Sequence, residues 1–473
     1  GKTMLFSSLV FIWYFLPIAF LAYLCIPGIR AKNLLLLVSS ILFYAWGEPK
    51  YVVLMLISIA INYTFGMLLD GAKKKEGRRI LMALCLVINL GLLGYYKYFN
   101  FLVELVNDLL NREALAAREI VLPIGISFYT FQALSYVVDV YRGTIKVQKN
   151  PLDLALYISF FPQLIAGPIV KYYEIDAQLA KRTISAQRMA YGIKRFCYGL
   201  GKKVILANTF AAVVDNVLTF PNENLAGAGL AWFTILLYTL QIYYDFSGYS
   251  DMAIGLGKMF GFDFMENFNY PYMSQSIREF WRRWHISLST WFKEYLYIPL
   301  GGNRKGKIRT YINLFIVFLV TGLWHGAGKN FVLWGAYYGV FIVAERMFLG
   351  KLLEKNPVKI LNHIYTMFVV VVGWMLFRIE DMEKIHAFAR IMCFRQEGYF
   401  TIPMFVDKRV LFCFAVGVLL AGPLQFACRP LKRHLYDEER VCWYDIAIMA
   451  VLLIFCTMML VNNTYNPFIY FRF

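Results

Sequence analysis

Arg278-Glu279-Phe280-Trp281-Arg282-Arg283-Trp284-His285 and, further along, Thr321-Gly322-Leu323-Trp324-His325-Gly326 carry two of the five histidines of a 473-residue chain. Both lie within 275–339, among tryptophans and apolar residues, in a chain whose remainder is long apolar runs. An ionisable group in such surroundings is a functional-site candidate by default.

Outward from this stretch, composition decides the class. The chain is 59% hydrophobic and 18% aromatic, with 16% charged residues, against about 25% charged in ordinary soluble domains. Apolar runs near the length needed to cross about 30 Å of hydrocarbon recur along it. Backbone amides in lipid must be satisfied within the segment, so the runs are helices; the short alternating strands of a barrel are not seen. The expectation is an all-α polytopic membrane protein of roughly ten to twelve crossings.

The net charge of +18 reads as cytoplasmic anchoring in the bilayer. A nucleic-acid partner is not expected, because the basic residues lie between membrane runs and not on a reading helix. The eight cysteines are scattered, with neither metal spacing nor a disulfide framework. Gly1-Lys2-Thr3 reads as a leading remnant before Met4, and 4–473 as one integral-membrane domain with its active-site region at 275–339.

In chain order, Leu5 to Ile26 reads as a retained helix, and Leu34 to Trp46 as short for a span. Tyr51 to Leu69 follows, then Lys73 to Arg79, whose charge places it inside and the N-terminus outside. A helix opened by Pro123 to Phe128 carries Gln132, Ser135, Tyr136 and Asp139, polar groups that need partners inside the bundle. Leu154 to Ile169 contains Pro162, Gly167 and Pro168 and is expected to be broken or re-entrant. Between Lys171 and Lys203, Lys181, Arg182, Arg188, Lys194, Arg195, Lys202 and Lys203 alternate with aromatics, as in an interfacial amphipathic region. Leu230 to Tyr244, Lys359 to Phe377, Val410 to Ala427 and Tyr444 to Val461 are further spans.

At about 100° per residue, Ile277, Trp281, Trp284, Leu288, Trp291, Phe292 and Tyr295 share one helix side. His285 falls on the other, with Arg278, Arg282, Ser289 and Lys293. A cationic stripe beside aromatics suits a phosphorylated, partly apolar ligand such as a phosphopantetheine thioester; anchoring to lipid headgroups fits it as well. His325 ends an apolar run and precedes Gly326. With Arg309 at the inner surface, a helical rise of roughly 24 Å puts it deep or toward the outer side, as a reactive group or as a histidine hydrogen-bonded in a turn. Asp245 and Asp251 could orient a histidine, and read more simply as satisfied acids. Neither metalloprotease histidine spacing nor a Gly-x-Ser-x-Gly elbow occurs.

Tyr244 to Met259, Glu266 to Asn303 (ENFNYPYMSQSIREFWRRWHISLSTWFKEYLYIPLGGN) and Thr321 to Gly326 closely resemble the membrane-bound O-acyltransferases, MBOAT, in the bacterial branch of alginate O-acetylation proteins (AlgI-like). The D-alanyl transfer protein of teichoic acid modification (DltB-like) is a more distant likeness. Pro123 to Gly143, Phe160 to Val170 and Asn466 to Phe473 extend the resemblance over essentially the whole chain. It implies a ring of helices around a thin core with interfacial and re-entrant helices, in a bacterial cell membrane. It also implies His325 as the catalytic histidine and His285 as the second active-site histidine. Lys329-Asn330 departs from the less polar residues expected after the motif.

The expected reaction moves an acetyl group from a cytoplasmic thioester, acetyl-CoA or another, to a hydroxyl, by direct transfer or through an acyl-histidine. The acceptor side would be an extracytoplasmic acyl-accepting or acyl-relaying protein and a polysaccharide. Substrate contacts are expected from Arg278, Arg282, Trp281, Trp284, Trp324, Ser289 and Asp245; no metal and no bound cofactor are expected. A transporter or channel without catalytic activity is the rival reading.

Overall fold

The computed structural model describes residues 3–469, the side chains at 436 and 437 excepted. Residues 1–2 of the leading remnant and 470–473 of the closing motif lie outside the described residues. Among the described residues the regular elements are helices, with two isolated β-bridges and no strand. The chain divides into two compact units, residues 1–193 with 252–265, and residues 194–251 with 266–473.

The first unit contains α1 (Phe11–Cys25), α2 (Ile29–Gly47), α3 (Pro49–Gly71), α4 (Lys75–Leu110), α5 (Ile126–Arg142), α6 (Pro151–Ser159) and α7 (Tyr172–Ala180). α2 starts five residues before the apolar run Leu34 to Trp46 because it takes in Arg30 and Lys32, and at that length it can span. Phe11, Phe15, Phe43 and Phe161 cluster around the N-terminal helices in edge-to-face and tilted contacts, with ring centroids 5.3 to 6.3 Å apart. Buried Asn62 and Asn89 exchange amide hydrogen bonds of 3.0 Å between α3 and α4, which satisfies polar groups where lipid offers no partner.

Of the polar residues of α5, the Tyr136 hydroxyl accepts from Gln148 N–H and Ser135 donates to the Gln132 carbonyl of its own helix, whereas the buried Gln132 side-chain amide has no hydrogen-bond partner among the described residues. The Leu154 to Ile169 run is broken as Pro162 demands, into α6, a turn at Phe161–Leu164 and extended chain. Gly125, at φ +78°, is required there: a Cβ on it would lie 2.6 Å from the Leu164 carbonyl oxygen.

The second unit takes α8 (Ala186–Gly201) from Lys194, then α9 (Asn208–Val217), α10 (Ala228–Met259) as far as Asp251, α11 (Ile277–Arg283), α12 (Ile286–Phe292), α13 (Lys307–His325), α14 (Lys329–Lys355), α15 (Lys359–Arg378), α16 (Met382–Met392), α17 (Lys408–Leu420) and α18 (Trp443–Asn462). α13 and α14 are an antiparallel hairpin around Gly326–Gly328 whose backbones touch. A Cβ on Gly322 would come 2.3 Å from the Phe331 oxygen, and one on Gly335 2.5 Å from that of Phe318. This close approach seats His325 beside the Trp334 ring.

Seven helices among the described residues, α2, α3, α4, α13, α14, α15 and α18, are long and apolar enough to cross a membrane; α1 is a shorter apolar helix. The sequence count of ten to twelve is larger because it also includes runs that polar residues or breaks interrupt. Val410 to Ala427, for example, stops at Leu420 and restarts after Gly422 with a short turn at Pro423–Ala427.

The basic region from 171 to 203 corrects the sequence reading. Lys194, Arg195 and Lys203 are not a solvated interfacial stripe but are almost fully buried. Arg195 bridges Asp251 at 2.7 Å and Glu266 at 2.6 Å, Lys202 also holds Asp251 at 2.6 Å, and Lys203 holds Asp245 at 2.8 Å. Asp245 and Asp251 are therefore satisfied acids, as the simpler sequence reading has it, because Arg195, Lys202 and Lys203 pair with them.

Candidate active site

The first expectation the structure overturns is a continuous helix through His285. α11 begins properly: the Ser276 hydroxyl accepts from Glu279 N–H at 3.0 Å, and the buried Glu345 carboxylate accepts from Ile277 N–H at 2.7 Å and Arg278 N–H at 3.0 Å. It ends at Arg283, after which Trp284 is extended and His285 adopts the left-handed conformation at φ +47°. That conformation costs a histidine on the order of 1 kcal/mol. It is held because Ile286 N–H goes to the Asn267 carbonyl at 2.9 Å, while Ser287 N–H and Oγ–H both go to Asn267 Oδ1. Phe268 pairs with Trp284 as a single antiparallel bridge.

This break separates His285 from the basic stripe. Arg278, Arg282, Ser289 and Lys293 stay on the surface of a cavity of about 560 Å³, while His285 turns inward and is 0% exposed. Its ring centroid lies 6.0 Å from that of His325, 4.5 Å from Phe246 and 5.7 Å from Trp324. The two histidines, which the sequence places in separate segments, form one pair.

His325, 2% exposed, closes α13. The rings of Trp324, Trp334 and Phe377 stand 5.0, 5.1 and 5.6 Å from it. Its Nδ1 lies 2.8 Å from the Thr321 carbonyl oxygen. A carbonyl only accepts, so Nδ1 carries the proton and Nε2 of the neutral ring keeps its lone pair. Thr321 was not singled out in the sequence, although its position four residues before the histidine is the signal that could have found it.

The cavity is also lined by Gln275, Trp281, Phe318 and Thr321, so it reaches the residue whose carbonyl holds His325. Arg278, Arg282, Lys293, Arg346 and Lys359 bring positive charge to it, partly balanced by Glu279, Glu345 and Glu354. Of the expected substrate contacts, Arg278, Arg282, Trp281 and Ser289 are gathered there. Trp284 is buried against Phe280 and Trp374 at 5.6 and 4.9 Å, and Trp324 stands beside both histidines, 5.7 Å from His285 and 5.0 Å from His325. Asp245 is elsewhere, in its ion pair with Lys203 and accepting from Ile469 N–H at 2.9 Å. Asn330, the departure after the histidine motif, is buried and donates to the Leu376 and Phe377 carbonyls, which joins α14 to the end of α15.

His434, Cys442 and Asp445 bring three potential metal-ligand atoms within 4.8 Å. The Asp445 carboxylate there is already committed to the Tyr198 hydroxyl at 2.7 Å, His434 Nε2 at 2.9 Å and Cys442 N–H at 2.9 Å, with Lys194 Nζ at 3.6 Å. This is a capped and ion-paired helix start, and a cation would have to displace the lysine.

Burial, and after it the charge His325 would carry, hold the His285 imidazole well below its ordinary pKa. The unfolded chain takes up this proton near pH 6.5 and the folded chain only at lower pH. The stabilisation is therefore complete above about 6.5 and is lost as pH falls, by about 1.4 kcal/mol per pH unit for one proton. Unfolding of the solubilised protein followed from pH 7.5 to 5.5 should show a shallower acid loss for His285→Gln than for the wild type. Equal slopes would contradict the assignment.

Residues 145–381 match the MBOAT, membrane-bound O-acyltransferase family. The chain is 45% identical over 385 residues to the "Probable alginate O-acetylase AlgI" of Pseudomonas aeruginosa, covering 80% of this chain and 73% of that protein. The protein of the same name from Azotobacter vinelandii is 39% identical over 99% of this chain and 100% of its own length. The "Peptidoglycan O-acetyltransferase" of Helicobacter pylori is 32% identical over 99% and 98%. Histidines paired at the end of a membrane helix beside a basic cavity, in a chain that matches two of these proteins over nearly its full length, identify a multi-pass membrane enzyme that belongs to the membrane-bound O-acyltransferase family.

Proposed function

We propose that the chain moves an acetyl group from a thioester, acetyl-CoA, to a hydroxyl on the far side of the membrane, for O-acetylation of an extracytoplasmic polysaccharide. The observation that carries this is the pairing of His325 with His285 at 6.0 Å beside a cavity whose mouth is basic and whose inner wall is aromatic. Arg278, Arg282 and Lys293 suit the phosphates of the donor, and Trp281 and Phe318 suit its pantetheine arm. His325 Nε2, with its lone pair set by the Thr321 bond, acts as general base on the acceptor hydroxyl. A thioester is already activated, so positioning and one deprotonation suffice. His285 and Trp324 flank the reacting atoms, Ser289 lines the donor cavity, and Asp245 supports the unit through Lys203. The names of the relatives, acting on alginate and on peptidoglycan, support a glycan as final acceptor, reached directly or through an acyl-accepting or acyl-relaying partner protein.

Membrane vesicles containing the chain, given acetyl-labelled CoA with oligomannuronate or peptidoglycan fragments, test it. Donor-dependent label in the glycan that His325→Ala abolishes is the expected result; label that persists in a folded variant refutes it. Arg278→Ala and Arg282→Ala should each raise the donor KM about tenfold, the scale of one hydrogen bond to a charged group, and leave kcat within a few-fold. The loss should shrink at high salt, since exposed charges are screened. A fall in kcat at unchanged KM would remove these arginines from the donor site.

A further inference from the structure

We infer that Trp281 is a catalytic hydrogen-bond donor, its indole N–H taking the negative charge that develops on the acyl carbonyl oxygen of the donor. This rests on the thioester reading above and adds to it a hydrogen bond to the carbonyl oxygen that the general base does not make. Trp281 lines the cavity and is 6% exposed, and its Nε1–H is buried with no acceptor among the described residues. Buried indole N–H groups ordinarily find a partner. In the same aromatic cluster Trp374 does, donating to the Tyr272 hydroxyl at 3.2 Å.

Two further buried polar groups without a hydrogen-bond partner among the described residues adjoin it. Trp334 Nε1 and the Tyr338 hydroxyl belong to rings 5.6 and 5.2 Å from Trp281, and Trp334 in turn stands 5.1 Å from His325. Donors left over in a buried aromatic cluster that runs from the donor cavity through Trp334 to His325 are what an oxyanion requires, and buried donors act strongly. Of the three, Trp281 is the one that lines the donor cavity.

The step balances as follows. His325 Nε2 takes the proton of the acceptor hydroxyl while that oxygen bonds to the thioester carbon. The carbonyl π pair moves onto oxygen and is held by the Trp281 N–H. When the C=O re-forms, the C–S bond breaks, the sulfur leaves with the pair and takes the proton from His325. Ester, free thiol and neutral histidine result.

Full-length protein in nanodiscs, with acetyl-CoA as donor and oligomannuronate as acceptor, is assayed by thiol release and ester formation. Trp281→Phe, which keeps a ring and removes the donor, should lower kcat by about 10²-fold with the acetyl-CoA KM within about threefold. S-ethyl-CoA, a thioether lacking the carbonyl oxygen, should inhibit variant and wild type equally. A kcat within threefold of wild type overturns the inference, as does S-ethyl-CoA inhibition weakening in step with activity, which would make Trp281 only a cavity wall. Should Trp281→Phe not fold, the benzothiophene isostere of tryptophan at 281 removes the N–H alone and is held to the same outcomes. Wild type that turns over no acetyl-CoA overturns the thioester reading together with this one, whereas an active wild type with an equally active Trp281→Phe overturns this one alone.

Discussion

His325→Ala should lower acetyl transfer by about 10³-fold, within the range expected for losing a general base, while donor binding changes little. The reason for the split lies in the geometry. His325 does not line the donor cavity; it meets it only through the Thr321 carbonyl, which its Nδ1–H engages at 2.8 Å. Removing the imidazole takes away the lone pair of Nε2 and leaves Arg278, Arg282 and Trp281 where they are. Single-turnover transfer from labelled acetyl-CoA, alongside equilibrium binding of S-ethyl-CoA, separates the two quantities. Equal loss of both would mean that the histidine supports the donor site and not the chemistry. His285→Ala should cost less than His325→Ala. His285 enters the site through bracing from Asn267 and flanks the reacting atoms, whereas His325 takes the proton.

That bracing also marks the limit of what the sequence revealed. The apolar run ending at Trp324-His325-Gly326 was readable, because a helix that stops at a glycine pair after a nearly full span leaves few positions for the histidine. The proline-broken run before Ile169 was readable for the same local reason. The turn at Trp284-His285 was not. It contains neither glycine nor proline, helical periodicity continues through it to Tyr295, and the acceptors that replace the helix's own belong to Asn267. Only the fold brings that segment alongside, so a periodicity argument had to carry His285 to the wrong face. Glu345, which satisfies the start of α11 from α14, was invisible for the same reason. In the basic region of 194–203 the types were seen but not their fate. A lysine between aromatics looks the same in sequence whether it reaches water or an aspartate, and here Asp245, Asp251, Glu266 and Asp445 decide it.

Asp245 is the residue at which the two kinds of reading give opposite experimental results. As a substrate contact, its loss would raise KM and spare the fold. As the partner of Lys203, with side chains 3% and 1% exposed, its loss would strand an ammonium in a medium that solvates it poorly. Breaking one side of a buried pair costs about 3–5 kcal/mol. Asp245→Ala is therefore expected to destabilise the solubilised protein by about that amount, and Lys203→Met to do nearly the same. The double variant Lys203→Met with Asp245→Leu should recover much of the loss, because two apolar side chains of similar bulk leave no charge to desolvate. Full recovery is not expected. The Asp245 carboxylate also accepts from Ile469 N–H, and Lys203 donates to Asn208 Oδ1 at 2.8 Å and to the Pro467 carbonyl. The pair thus ties the chain's closing segment to α10 and to the turn before α9, and the double variant leaves that backbone N–H and that carbonyl without their partners. Thermal unfolding of the four proteins, with the acetyl-CoA KM measured on each, decides between the readings. An Asp245→Ala protein as stable as wild type but tenfold weaker for donor would return Asp245 to the substrate site.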